Sequence, residues 1–304
     1  MISGISQNLI LVDAGRENSA GSLTVKQLRY TTMDATQKGQ VTQSAADVYE
    51  EFFVPALFHE WAARVSDAAA IDSGQRVLDV ACGTGVLTRN VAERVRPGGV
   101  VIGLDCNEGM LDVARHTSPA IEWRLGQAES LPFPEGSFDA VVSQFGLMFF
   151  EDRVASLREM WRVLQPGGRL VVAVWDSLDR VPGYAAMTAL LQRLFGDRVT
   201  DACGAPFILG DVEALLPLFA SADISNAQNT TRDGMVHFPS IEAWAHTDVK
   251  GWTLADMIDD AQYEMLLGEA LKELKHFVQS DGTVAFPSSA HIVTADKDTA
   301  GQAK

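Results

Sequence analysis

Short apolar runs and helical patterns alternate along the middle of the chain. Between residues 76 and 175, each apolar run has the length of a buried strand, and the segments between runs repeat their apolar residues every three or four positions. Strands that are apolar on both faces are typical of a parallel sheet covered by helices on both sides. The pattern predicts five strands, at 77–80, 100–104, 121–125, 138–142 and 170–175.

The N-terminal part is patterned differently. Residues 1–40 are rich in Ser, Thr, Gly, Gln and Asn and show little periodicity, so we expect a flexible N-terminal tail. From about 45 to 70, apolar and aromatic residues return at helical spacing and are interrupted by Pro55. Because proline disrupts a helix interior, this pattern predicts two short helices that meet near Pro55.

The C-terminal half adds two strands. Residues 176–285 are mostly helical in pattern, apart from a strand that closes at 235–238, and a last strand follows at 291–295. With the five strands upstream, the total is seven. We therefore expect residues 41–304 to form one α/β domain, a Rossmann-like, doubly wound sheet with helices on both faces.

Composition and charge narrow the functional classes. The chain has 40 acidic and 24 basic residues, a net charge of −16, and no basic patch, so we expect no nucleic-acid partner. Its three cysteines and six histidines show no metal-ligand spacing, so we expect no metal site and a reducing compartment. The first eleven residues lack the positive charge of a secretory signal, and no run of about 18 apolar residues predicts a membrane span. We expect a cytoplasmic protein without a membrane partner.

The strongest local signal is the run from Val77 to Gly85, which reads VLDVACGTG. A strand ends there, a Gly-x-Gly turn lets the backbone approach a ligand, and a helix begins with its amides exposed. Asp105 ends the second strand, 20 residues beyond Gly85, where a carboxylate can accept both hydroxyls of a ribose. Together these residues predict an adenosine-containing ligand at the carboxyl edge of the sheet.

The identity of that ligand depends on two positions. A dinucleotide fingerprint has a third glycine three residues after the second, but Thr88 stands there. Asp79 would repel a pyrophosphate, whereas it suits an ammonium group such as the one on S-adenosylmethionine (SAM). A nicotinamide-dependent oxidoreductase and a SAM-binding protein without catalysis stay open as alternatives.

Five segments resemble motifs of one family in the correct order. Residues 79–85 resemble motif I of class I SAM-dependent methyltransferases, in the type 11 branch that includes the ubiquinone/menaquinone-biosynthesis C-methyltransferases. Residues 103–111 are similar to the motif that follows, 126–133 to the adenine-contacting loop, 137–142 to the fourth strand and 164–170 to the turn into the fifth strand. The resemblance implies SAM as the cofactor, and a mostly parallel seven-stranded sheet whose last strand is antiparallel.

The resemblance also implies roles for individual residues. Gly83 and Gly85 would let the backbone approach SAM, Asp79 would lie near its ammonium group, and Asp105 would hold its ribose.

Further residues are implied at the base and at the methyl group. Asn107 and Met110 would flank the adenine or ribose, and Gln127 and Ala128 would lie at the adenine edge. Position 127 is often Asp in the family, and an amide can still accept a hydrogen bond from the exocyclic amine. Ser143, Gln144 and Phe145, past the fourth strand, would lie beside the methyl donor, and Tyr49 is the candidate for an aromatic ring near the sulfonium.

The resemblance implies methyl transfer to a small-molecule acceptor by direct displacement, with no catalytic base assigned. Tyr49 belongs to predicted lid helices at about 45–70, from which its ring could face the sulfonium. We expect the acceptor pocket between these helices, the tips of strands four and five, and a helical insert at about 176–221. The run Ser-Gln-Phe-Gly at 143–146 differs from the Asn-Pro-Pro-Tyr type of DNA amino-methyltransferases. A homodimer stays open.

Overall fold

A computed structural model describes residues 43–251 and 254–299, so the predicted tail at 1–40 lies outside the described residues. One seven-stranded sheet has the order β3-β2-β1-β4-β5-β7-β6. Its strands are β1 Arg76–Val80, β2 Val100–Asp105, β3 Glu122–Leu125, β4 Phe138–Gln144, β5 Leu164–Trp175, β6 Gln228–Phe238 and β7 Val284–Asp296.

The pairing confirms the predicted fold class. Strands β1 to β5 pair in parallel, and β7 pairs antiparallel with both β5 and β6. The strand order reverses between β1 and β4, which are neighbours at the centre of the sheet. In open α/β sheets, ligands bind at the carboxyl ends of the strands beside such a reversal. The topology thus locates the candidate site before any side chain is considered.

Ten α-helices occur in the described part of the chain, joined by short 3₁₀ turns. They are α1 Gln43–Val48, α2 His59–Ala68, α3 Val86–Arg94, α4 Glu108–Thr117, α5 Arg153–Val163, α6 Pro182–Phe195, α7 Asp197–Gly204, α8 Val212–Ser221, α9 Ile241–Lys250 and α10 Asp260–Glu273.

The predicted helix break at Pro55 is wrong. Residues Tyr49–Phe58 form a π-helix that joins α1 to α2 without interruption, and the N–H of His59 bonds to the carbonyl of Val54, five residues back. Bonds of this longer type widen the turn. The wider turn moves the carbonyl that a proline ring would meet in an α-helix, so the chain stays helical through Pro55.

The last two strands begin earlier or run longer than their apolar pattern indicates. β7 starts at Val284, seven residues before the predicted boundary at 291. Its first half pairs with β6, where Pro287 stands opposite Met235 and Ser288 opposite Gly234. Proline and serine are poor strand formers, so this half could not be read as a strand from composition. Its strand conformation is instead set by the pairing with β6.

Within the described residues, no single helix has the length and apolar character needed to cross a membrane. One bent pair, 197–207 with 212–221, passes the same test by length and composition only.

Candidate functional site

A cleft lies at the carboxyl ends of β1, β2 and β4, next to the reversal of strand order. One part of it is lined by the loop after β1, the tips of β2 and β4, and the π-helix. A second part lies against the loop after β3 and shares Ala81, Asp105 and Cys106 with the first. We call the two parts together the strand-tip cleft.

The two glycines of the loop after β1 meet different surroundings. Gly83 lines the cleft with φ of 55°, and an added Cβ would have no atom within 4 Å, so its backbone is open to a ligand. Gly85 has φ of 91°, and an added Cβ would overlap the indole ring of Trp123. Gly83 therefore provides the close approach that the sequence predicts for both glycines, whereas Gly85 is required by packing beneath the loop.

Asp79 is a buried carboxylate with one oxygen unused. It is 1% exposed, and its Oδ2 accepts a hydrogen bond of 2.6 Å from the hydroxyl of Thr88. Its Oδ1 is buried and has no partner among the described residues, although Asp79 lines the cleft. Burial raises the pKa of this carboxyl from 3.8 to about 7, opposed by the Thr88 hydrogen bond and assisted by the charge of Asp105. A cationic ligand group would satisfy the free oxygen and stabilise the ionised form.

Asp105 ties the glycine loop to the tip of β2. Its Oδ2 accepts the N–H of Gly83 at 2.8 Å, and its Oδ1 accepts the N–H of Asn107 at 2.8 Å. Burial raises the pKa of Asp105, and these backbone amides oppose the rise. Each carboxylate oxygen still has a second lone pair, so the fixed carboxylate could also accept ligand hydroxyls.

Asn107 and Met110 line the cleft as predicted neighbours of the ligand. The side chain of Asn107 is also the N-cap of α4, since its oxygen accepts the N–H of Met110 at 3.1 Å. An N-cap of this kind stabilises a helix by about 1 kcal/mol. Gln127 and Ala128 line the other part of the cleft, beside Phe149 and Phe150.

The end of β4 contributes two of its three predicted residues to the cleft, Gln144 and Phe145. Gln144 lines it, and its Nε2 donates to the carbonyl of Phe58 at 3.2 Å, while its Oε1 is buried without a partner among the described residues. Ser143 is fully buried and is not among the residues that line the cleft. Gln144 thus connects the sheet to the π-helix.

The π-helix brings forward an aromatic residue that the sequence analysis missed. Phe58 lines the cleft and stacks on Tyr49, with ring centroids 5.1 Å apart, and Phe53 lies 5.6 Å from Tyr49. The spacing of four and five residues between these rings fits a turn closed by i→i+5 bonds. An α-helical pattern groups Phe52 with Tyr49 instead, but Phe52 packs against His246. Phe58 was missed because the sequence was interpreted with the spacing of an α-helix, whereas this segment has the wider turn of a π-helix.

An ion pair fastens the π-helix beside the cleft. Glu50 accepts a hydrogen bond of 2.7 Å from the guanidinium of Arg89, and the same guanidinium donates to the carbonyl of Thr84 at 2.7 Å. Arg89 therefore joins the π-helix, α3 and the glycine loop. Among the described residues, no cluster of three or more His, Cys, Asp or Glu side chains could hold a metal ion.

The strand order and the position of the cleft define a Rossmann-like fold, which is shared with solved structures of low sequence identity. The YcgJ protein of Bacillus subtilis has a TM-score of 0.54 at 20% identity, covering 79% of this chain and 99% of that one. Phosphoethanolamine N-methyltransferase 2 of Haemonchus contortus, solved with S-adenosylhomocysteine, has a TM-score of 0.55 at 17% identity, covering 85% of this chain and 58% of that one. These likenesses establish the fold.

Sequence comparison establishes the family. The model of the ubiE/COQ5 methyltransferase family matches residues 36–186. Over 183 residues the chain is 39% identical to the demethylmenaquinone methyltransferase of Deinococcus radiodurans, covering 57% of this chain and 73% of that enzyme. The chain therefore belongs to the ubiE/COQ5 methyltransferase family, which confirms the resemblance seen in its motifs.

Other relatives match a shorter part. The demethylmenaquinone methyltransferase of Renibacterium salmoninarum is 39% identical over 48% of this chain and 61% of its own length. The UbiE C-methyltransferase of Hahella chejuensis is 39% identical over 41% of this chain and 53% of its own length. The chain thus spans between half and two thirds of these two relatives, and the match to the family ends at residue 186, within α6.

Proposed function

We propose that this protein transfers a methyl group from SAM to a small-molecule acceptor. The observation that carries the proposal is the buried carboxylate of Asp79. This residue lines the strand-tip cleft, and its Oδ1 has no partner among the described residues. An unpaired buried carboxylate oxygen is costly, so the site suits a ligand that brings a cation there. Gly83, with open space where a Cβ would stand, gives such a ligand room beside the backbone.

The residues present fit each part of SAM. Asp79 would hold its ammonium group, Asp105 its ribose, and Gln127 with Ala128 its adenine. When bound, SAM would supply a methyl group on a positively charged sulfur.

The aromatic residues of the cleft would act on that positive charge. Tyr49 and Phe58 are stacked rings at the cleft wall, and the face of an aromatic ring attracts a cation by roughly 0.5–2 kcal/mol. Phe149 and Phe150 line both parts of the cleft. Together these rings would exclude water from the reacting centre, which strengthens every electrostatic contact there.

The acceptor is a quinone-type ring compound under this proposal. The relatives named above are methyltransferases of demethylmenaquinone and of ubiquinone or menaquinone biosynthesis. None of the described residues that line the strand-tip cleft is a histidine or a lysine. Under this proposal the chain aligns donor and acceptor for a direct displacement, in which a carbon of the reduced ring attacks the methyl group, S-adenosylhomocysteine leaves and the ring carbon releases its proton to solvent.

Calorimetric titration with SAM, S-adenosylhomocysteine and NADH tests the donor site. We expect both sulfur nucleosides to bind and NADH to give no heat, because Asp79 would repel its pyrophosphate. A second step incubates the protein with labelled SAM and a reduced 1,4-naphthoquinone. Transfer of label to the ring supports the proposal, and tight SAM binding without transfer to any ring acceptor would favour a binding protein without catalysis. The absence of measurable SAM affinity would overturn the assignment.

A further inference from the structure

One amide oxygen at the end of β4 lies at the strand-tip cleft without a partner. Gln144 is the last residue of β4 and lines the cleft. Its Nε2 donates to the carbonyl of Phe58 at 3.2 Å, and its Oε1 is buried with no hydrogen-bond partner among the described residues. A polar atom that has lost its water and gained no hydrogen bond is unfavourable, so this oxygen requires a group that the described chain does not supply.

The contact with Phe58 fixes the orientation of the Gln144 amide. A backbone carbonyl can only accept a hydrogen bond, so the amide nitrogen must face Phe58 and the amide oxygen must point away from it. The carbonyl itself is held at the end of the π-helix, Tyr49–Phe58. Because an amide oxygen can only accept as well, the missing partner of Oε1 is an O–H or N–H donor.

The order of the strands indicates which molecule supplies that donor. In the sheet, β3, β2, β1 and β4 are successive neighbours. Under the proposed function, the adenine of SAM lies at the loop after β3, its ribose at Asp105 on β2 and its ammonium group at Asp79 on β1. The tip of β4 is the next one along this edge, about 4.8 Å further. An acceptor must approach from a side that SAM leaves free, and Gln144 borders that side.

The ammonium group of SAM also carries N–H donors. The carboxylate of Asp79 attracts that charge more strongly than the neutral amide of Gln144 does, because hydrogen bonds between two charged groups are the stronger ones. The oxygen of Gln144 is therefore left for the second substrate.

The other side chains at this end of the cleft favour an aromatic acceptor. Three phenylalanines line the cleft together with Gln144, and they are Phe58, Phe145 and Phe149. Phe145 stacks on Trp175 with ring centroids 3.7 Å apart and planes within 3°, so its ring is firmly placed. No Lys, Arg or His side chain lines the described cleft, so nothing there would compensate the charge of an anionic acceptor. A neutral ring that carries a hydroxyl group matches both the phenylalanines and the amide oxygen.

We infer that Gln144 binds the methyl acceptor by accepting a hydrogen bond from a ring hydroxyl group at its Oε1; this rests on the proposed function. A reduced quinone carries such hydroxyl groups. An oxidised quinone carries carbonyl oxygens, which only accept, so it would leave both its own oxygen and Oε1 unpaired. Sites built to hydrogen-bond a hydroxyl group discriminate strongly against analogues that lack it. Gln144 thus selects the reduced acceptor, whose electron-rich ring is the form that attacks the methyl group.

The test measures the affinities of two stable probes, 1-naphthol and 1-fluoronaphthalene, by equilibrium dialysis. The probes share the naphthalene ring, and only 1-naphthol has a hydroxyl group. Each measurement is made with and without saturating S-adenosylhomocysteine. The variants are Gln144→Met, which keeps the length of the side chain without its polar atoms, and Gln144→Glu, which keeps an accepting oxygen. Gln228→Met, at an exposed position of β6, is the matched control.

We expect the unchanged protein with S-adenosylhomocysteine to bind 1-naphthol about three- to tenfold more tightly than 1-fluoronaphthalene, as one hydrogen bond allows. This preference should disappear in Gln144→Met and persist in Gln144→Glu and Gln228→Met. Thermal unfolding checks that each variant is folded. If Gln144→Met does not fold, ¹⁵N NMR of the unchanged protein decides: the side-chain amide signal of Gln144, identified by its absence in Gln144→Glu, should shift with 1-naphthol and not with 1-fluoronaphthalene.

An unchanged preference in Gln144→Met, or no binding of 1-naphthol while S-adenosylhomocysteine is bound, would overturn the inference. So would a loss of S-adenosylhomocysteine affinity in Gln144→Met with the probe preference intact, because Gln144 would then bind the donor. Failure of the proposed function gives a different result. In that case S-adenosylhomocysteine does not bind the unchanged protein, and the dialysis without it still reports on Gln144.

Discussion

Trp123 packs its indole ring directly beneath Gly85. A Cβ added to Gly85 or to Gly103 would overlap this ring, so both glycines leave room for it. The indole N–H donates to the carbonyl of Ser118 at 3.0 Å, which fixes the orientation of the ring. The edge strand β3 therefore supports the loop that lines the strand-tip cleft.

This packing predicts different results for alanine at the two loop glycines. Gly85→Ala should lower the free energy of unfolding by roughly 2–4 kcal/mol, because it adds overlap with Trp123 to an unfavourable backbone angle. Gly83→Ala meets open space and should cost only about 1–2 kcal/mol of stability. It should nevertheless weaken SAM binding, because the new methyl group points into the cleft. Urea unfolding and calorimetry measure the two effects; equal losses of stability would contradict the packing argument.

Replacing Asp79 with Asn should lower SAM affinity by roughly 100-fold near neutral pH. The variant keeps the size of the side chain but loses the charge that would pair with the ligand's ammonium group, and truncating such buried pairs costs about 2–5 kcal/mol. S-adenosylhomocysteine carries the same ammonium group and should lose affinity equally. Asp112→Asn, at an exposed position of α4, is the matched control. Wild-type affinity in Asp79→Asn would remove Asp79 from the site.

The raised pKa of Asp79 predicts that SAM binding depends on pH. The carboxyl titrates at about 7 in the free protein, so below that pH it must release a proton before it can pair with a cation. Affinity should therefore rise by up to about tenfold per pH unit between roughly pH 5.5 and 7, and then level off. Calorimetry across this range measures the slope, which should be flat in Asp79→Asn.

Asp79 should also affect stability in the absence of ligand. The folded protein holds this proton up to about pH 7, whereas the unfolded chain releases it near 3.8. Between these values the folded state binds more protons, so the contribution of Asp79 to stability is fully present below pH 3.8 and is lost as the pH rises towards 7. Urea unfolding of the unliganded protein should show Asp79→Asn losing this component; an identical pH dependence in both proteins would contradict it.

Tyr49 should distinguish the charged donor from its neutral product. Tyr49→Leu removes the aromatic face and should weaken SAM by roughly 2- to 30-fold, the equivalent of a cation–π contact. S-adenosylhomocysteine lacks the sulfonium, so its affinity should change less. Tyr49→Phe keeps the ring and serves as the control. Equal losses for the two ligands in Tyr49→Leu would show that the ring acts by packing alone.

The sequence by itself determined the five parallel strands and the place of the cleft at their carboxyl ends. Asp79 and Asp105 could be assigned to one site because each follows from a local pattern, and parallel strands bring their carboxyl ends to the same edge of the sheet. Gly83 could be identified for the same reason, since a turn between a strand and a helix is encoded by neighbouring residues.

Only the tertiary structure decided which further side chains meet at the strand-tip cleft. Phe58 faces the cleft because of a π-helical turn that the α-helical spacing of the sequence does not reveal. Trp123 shows its role only when β3 lies beside β2, since its ring then packs beneath Gly85. Contacts between residues far apart in the chain depend on packing, which no local pattern records. That is why the sequence located the cleft at the strand tips but not the aromatic residues that line its wall.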